Sequence, residues 1–107
     1  IPHGIEFDGK NILIANFTNQ LLNVYDYDFN LLKTSSALGY NPHGIGFDGK
    51  NIWVSDSTNQ VLRIYDRDFN LLKTSGALEY SPRGIAFAGK NIWVADYTNK
   101  QLKVHSR

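Results

Sequence analysis

Pro42 to Tyr65 reads PHGIGFDGKNIWVSDSTNQVLRIY, and the stretch occurs three times. Its other copies run from Pro2 to Tyr25 and from Pro82 to His105, a period of 40 residues. A fixed period of this size marks a repeat architecture, in which each copy is one supersecondary unit that buries its core against its neighbours. Aligned without gaps, His3–Pro42 and His43–Pro82 share 27 identities in 40 positions. Copies this close point to recent amplification of one unit, or to its deliberate copying by design. Both origins weaken the case that particular side chains were specialised for a task.

Each copy divides into four short apolar runs. Gly4-Ile5-Glu6-Phe7 alternates and stops at Asp8-Gly9, a dipeptide that predicts a tight hairpin turn with positive φ at both central residues. Asn11 to Ala15 is nearly continuous in apolar character, as expected of a strand covered on both faces. Thr18-Asn19-Gln20 makes the next turn, Leu21 to Tyr25 the third run, and Asp26-Tyr27-Asp28 closes it. The fourth run, Phe29 to Thr34, is more polar; Lys33 and its copy Lys73 mark it as a solvated outer edge, where lysine discourages stray strand pairing. A loop through Leu38 and Tyr40 leads to Pro42, and proline, lacking a backbone donor, suits that connection.

No run has helical period, and Val, Ile, Tyr, Phe and Trp dominate, which favours strands. Four antiparallel strands in about 40 residues describe a β-propeller blade. The expectation is an all-β chain of three blades, about 3–42, 43–82 and 83–107, within one repeat domain. The third blade lacks its outer strand, which leaves eleven strands. A β-trefoil, also three units of similar length, ranks second: the residue pattern matches blades, and a missing twelfth strand would damage its barrel or cap.

Composition narrows the function classes. At 107 residues the chain is one small domain or part of a larger one. A chain of this size buries roughly 65% of its unfolded surface, so the margin of its core is thin. Eleven basic against ten acidic side chains, scattered along the sequence, argue against nucleic acid or an anionic membrane as partner. There is no cysteine, hence neither disulfide nor thiolate metal site. No apolar run is long enough to cross a membrane and no signal peptide is evident; the start at Ile1-Pro2 points to a fragment or a processed product.

The pattern G-I-x-F-D-G-x-N-I-W-V-x-D-x-T-N-x-x-L-x-I/V-Y-D resembles the NHL family of β-propeller repeats, and also the related YVTN and streptogramin-lyase-like propellers. Gly44-Ile45, Asp48-Gly49, Ile52 to Asp56, Asn59 and Val61 to Asp66 carry the likeness, which spans essentially the whole chain. It implies a fold rather than an activity, because the family includes ligand binders, protein- and RNA-binding modules and a few lyases. Family members close rings of about six or seven blades. Three blades leave terminal faces with nothing to pack on, so the expected partner is a second copy, giving six blades around a two-fold axis.

The same resemblance puts His3, His43 and Arg83 at the start of the innermost strands, by the mouth of the channel. Converging imidazoles can bind a transition metal, and a peptide-amidating lyase of similar fold holds zinc with channel histidines. Arg83 argues for an anion instead, and the favoured reading of the histidines is a strand start beside proline, copied by duplication. Asn16, Asp56 and Asp96 end the second strand at equivalent positions and are expected on the same face as the histidines. They could serve acid–base chemistry or a metal, although an Asp ahead of Ser-Thr-Asn more often fixes the turn backbone. Glu6 alone places a carboxylate on an inner strand, with Gly46 and Ala86 in the other copies. Asp26 to Asn30 resembles the first part of a calcium loop but lacks its later glycine and glutamate, so it reads as a hairpin turn. Trp53 and Trp93 read as packing between blades.

No nucleophile motif or phosphate loop is present. The expected function is therefore a non-enzymatic scaffold or binding module, without cofactor, that self-assembles and offers the channel mouth to a small ligand or peptide. The alternatives are a channel-site lyase or metal enzyme using His3, His43, Asp56 and Asp96, and a monomeric trefoil-like lectin.

Overall fold

The computed structural model describes residues 1–106. The chain forms β1 (Pro2–Phe7), β2 (Ile12–Asn16), β3 (Leu21–Tyr25) and β4 (Leu31–Thr34) in a first sheet. A second contains β5 (Pro42–Phe47), β6 (Ile52–Asp56), β7 (Val61–Tyr65) and β8 (Leu71–Thr74), and a third contains β9 (Pro82–Ala88), β10 (Asn91–Asp96) and β11 (Gln101–Ser106). Each sheet is an antiparallel meander of consecutive strands from a single repeat, as a propeller blade is. A trefoil barrel would need strands of different repeats to pair, and among the described residues none do. The register repeats with the sequence: Ile14 faces Asn23, Val54 faces Arg63 and Val94 faces Lys103.

The first hairpin turn differs from its expected form. Only Gly9 has positive φ (95°), and the loop from Asp8 to Asn11 is four residues long. The Asp8 carboxylate explains this: Oδ1 accepts from the backbone N–H groups of Lys10 (2.9 Å) and Asn11 (2.7 Å), which holds the wider loop. Asp48 does the same in the second copy. The third copy has Ala88 there, and without the carboxylate the strands run on to a two-residue turn, Gly89-Lys90. Asp26 to Asn30 is a hairpin turn, with Oδ1 of Asp26 accepting from the N–H groups of Asp28 and Asn30. Those bonds, the Asn30 N–H foremost, hold the Asp26 carboxyl below its ordinary pKa.

The sheets stack face to face. Leu13, Ala15, Leu22 and Val24 of the first meet Ile45, Ile52, Val54 and Tyr65 of the second. Leu62, with half-buried Trp53, then meets Ile92 and Val94 of the third, flanked by Ile85 and Phe87. Trp53 packs edge-on against Phe87 at 5.3 Å, between the sheets as expected. Trp93, its copy, stands on the outer face of the third sheet and is 40% exposed. Tyrosines tie each connecting loop to the next sheet: Tyr40 bonds Tyr65 through their hydroxyls (2.6 Å), and Tyr80 bonds His105 Nε2 (2.7 Å).

The inner strands β1, β5 and β9 lie side by side without pairing, and glycine makes this possible. A Cβ on Gly4 would come within 2.7 Å of the His43 carbonyl oxygen, and one on Gly44 would overlap the Arg83 carbonyl. Ser55 Oγ locks the second contact, accepting from Gly44 N–H (2.7 Å) and donating to Arg83 C=O (2.6 Å).

Candidate functional site

The close approach of the three inner strands brings the residues before their glycines together. His3, His43 and Arg83, with the glycines and isoleucines that follow them, line an open cleft of ≈300 Å³. The His3 and His43 rings are 5.0 Å apart, and Phe17 lies 4.6 Å from each, edge-on to His43. The Arg83 guanidinium lies 3.7 Å over the ring of Tyr97.

Phe17 and Tyr97 occupy one repeat position, directly after Asn16 and Asp96; Ser57 is their counterpart in the second copy. Neither follows from the strand and turn pattern, which starts its turn at Thr18. The available signal was variation: a phenylalanine, a serine and a tyrosine stand in a turn whose Thr and Asn neighbours do not change.

His43 is buried, and its pKa is lowered to about 4. Desolvation is the largest cause, followed by the positive fields of Arg83 and His3, with Asp56 opposing them. The unfolded chain therefore takes up a proton near pH 6.5 that the folded chain refuses until about pH 4. Stability contributed by neutral His43 is fully present above the unfolded pKa and is lost as pH falls through this window. Melting temperature is expected to fall between pH 7 and pH 4, and His43→Gln is expected to flatten that slope in thermal scans. An unchanged slope would show that the imidazole is already solvated.

Asn16, Asp56 and Asp96 do not line the cleft. They cap the turns that follow them: Asn59 donates its backbone N–H (3.0 Å) and Nδ2 (2.8 Å) to Asp56, Asn99 does likewise to Asp96, and Asn19 N–H reaches Asn16 Oδ1 (3.2 Å). Asp56 is also held by Arg63 Nη2 at 2.9 Å. For Asp96, burial pushes the carboxyl pKa up, but the Asn99 bonds, Lys103 and the Thr98 N–H outweigh it and leave the value below the ordinary one. The half-buried Glu6 turns back on its own strand, accepting from Phe7 N–H (2.9 Å).

Among the described residues no three His, Cys, Asp or Glu side chains converge closely enough to hold a metal ion. The cleft offers imidazole and guanidinium donors between glycine and isoleucine walls, with no carboxylate in its lining.

No family model matches the chain, and no curated protein matches it significantly. Solved structures do. A chain of Kuenenia stuttgartiensis hydrazine synthase superposes with a TM-score of 0.77 at 19% identity, over 98% of this chain and 32% of that one. A chain of a nidogen/laminin complex superposes with a TM-score of 0.83 at 18% identity, over 97% of this chain and 43% of that one. This chain thus spans about a third of the first and less than half of the second. At such identities the likeness is one of fold: the chain has a propeller-like, all-β fold, and the NHL type is not distinguished from other propellers.

Proposed function

We propose that the chain is a non-enzymatic half-ring: two copies close a six-bladed propeller, which serves as a scaffold or binding module with its ligand surface at the channel mouth. The observation that carries this reading is a mismatch in burial between equivalent residues. Leu22 and Leu62 are 0% and 3% exposed, whereas Leu102, at the same position of the third sheet, is 68% exposed. On the opposite end of the stack, Ile45 is 3% exposed and its counterpart Ile5 is 70% exposed.

These two bare faces are complementary by construction. Leu102, Val104 and Trp93 copy the face that the second sheet turns to the third, and Ile5 and Phe7 copy the face that receives it. Apolar patches of this kind mark association sites. Placing the third sheet of one copy on the first sheet of another repeats a contact the fold already makes twice. A two-fold axis makes both such contacts at once and leaves no open end. The channel would then present four histidines and two arginines.

Light scattering on a sizing column tests the reading. A mass near twice 12.1 kDa is expected. Trp93→Lys places a charge on an exposed face without touching the core and is expected to give a folded monomer. A folded wild-type monomer at high micromolar concentration would sink the half-ring. A lyase that uses His3 and His43 is a different outcome, and unaltered assembly with turnover lost in His43→Ala would bring it back.

A further inference from the structure

We propose that the cleft between His3, His43 and Arg83 is an oxyanion site, taking a carboxylate or phosphate group of a small ligand. The inference deepens the reading of the channel mouth as a ligand surface and rests on it for biological role, while the cleft itself lies within one chain.

Arg83 stands apart from the other described arginines, Arg63 and Arg67, which each have a carboxylate within reach, at 2.9 and 3.5 Å. Among the described residues Arg83 has none, and its Nε is buried with no hydrogen-bond partner. A buried donor left unmade carries the full cost of its desolvation, and for a charged group that cost is large. An oxyanion in the cleft would supply the counter-charge the guanidinium lacks through charge-assisted bonds to its N–H groups. Tyr97 helps to hold the group in place: the guanidinium carbon lies 3.7 Å from the ring centre, and a guanidinium carries its N–H donors in a rigid fork that matches a carboxylate or phosphate.

The surroundings agree. No acidic side chain lines the cleft, and the two imidazoles can add N–H donors beside the guanidinium. Asp56, a carboxylate whose field reaches His43, is already held by Arg63 and Asn59. Arg83, His3 and desolvation all oppose charge on His43, so an anion would relieve that opposition and promote proton uptake. Binding should therefore tighten as pH falls and His43 becomes protonated.

Sulfate, whose charge is constant over the relevant pH range, is the first probe. It would be titrated at constant ionic strength while the Arg83 Nε–H and His43 ring resonances are followed by NMR. Saturable shifts are expected, with tighter binding at pH 5 than at pH 7 and a higher His43 titration midpoint in sulfate. Arg83→His installs the residue that the other two copies carry, so folding is protected; affinity is expected to drop by about tenfold or more at pH 7. Lys90→Gln, in the remote turn of the third sheet, should change nothing. Acetate and methyl phosphate titrated in parallel separate a planar carboxylate from a tetrahedral phosphate as the preferred group. Linear, unsaturable shifts, or equal loss in both variants, would overturn the site. The mass of the same samples keeps the two readings apart: a dimer that ignores all three anions loses the site and keeps the ring, and a monomer that binds sulfate does the reverse.

Discussion

Gly44→Ala is expected to cost on the order of 3 kcal/mol and to lower the melting temperature by more than ~10 °C, whereas Gly84→Ala, the same change one repeat later, leaves the chain folded. The difference is one of neighbours. At Gly44 a methyl group would occupy the place of the Arg83 carbonyl, with the Ser55 hydroxyl 3.0 Å away. Backbone cannot rotate aside as a side chain can, so β5 and β9 must separate, and the two bonds through Ser55 Oγ separate with them. At Gly84 the nearest atom to such a methyl is Ala95 Cβ at 3.7 Å, an ordinary contact. Among the described residues no strand lies beyond it.

That vacancy makes Gly84→Ala a test of assembly as well as of packing. If a second copy lays its β1 against β9, as β9 lies against β5, the partner's His3 carbonyl would arrive where the Arg83 carbonyl sits at Gly44. The variant should then keep its strand content in circular dichroism, elute as a monomer, and lose any dependence of melting temperature on concentration. Wild-type mass retained in Gly84→Ala would mean that the copies meet elsewhere. A fully stable Gly44→Ala would mean that the inner strands are further apart than the structure places them.

The sequence was most informative where the copies agree. The 40-residue period, the Asp-bearing turns and the strand runs of Val, Ile and aromatics all describe local structure, and local structure follows local sequence. Asp8 illustrates the limit: Asp-Gly announced a turn, but the loop length was decided by which backbone N–H groups the carboxylate could reach. The site was half legible. Position before glycine was enough to bring His3, His43 and Arg83 into one cleft, because a repeated position in stacked units lands at a repeated place. Phe17 and Tyr97 were not legible as neighbours of the cleft's side chains, since their contacts cross between distant segments: Phe17 reaches His43, 26 residues on. Sequence position puts Asp56 and Asp96 on the side of the histidines, but side-chain direction and the Asn three residues beyond decide whom they serve.

The pair formed by Asp56 and Arg63 carries the second large effect, and the chain supplies its own control. Arg63→Asn is expected to destabilise by about 3 kcal/mol, because it strips a carboxylate that is 0% exposed of its counter-charge and leaves only Asn59 to hold it. Part of that loss is the stacking of Arg63 on Tyr40, 4.6 Å from the ring centre. Asp56→Asn should cost far less, since the half-buried guanidinium can turn to water. The first copy shows how the two positions coexist without charge: Asn16 caps its turn through Oδ1, and Asn23 reaches the outer strand through Thr34 Oγ1 (3.1 Å), as Arg63 reaches Thr74. The third copy carries Asp96 with Lys103, charged at both positions again. The double variant Asp56→Asn with Arg63→Asn should therefore recover most of the stability lost in Arg63→Asn, with a coupling of about 2 kcal/mol in a cycle read by urea denaturation. Simple additivity would mean that Asp56 is held by its turn alone and that Arg63 acts only through Tyr40. Recovery would mean that the buried pair is a matched unit, one charge tolerated because the other is present.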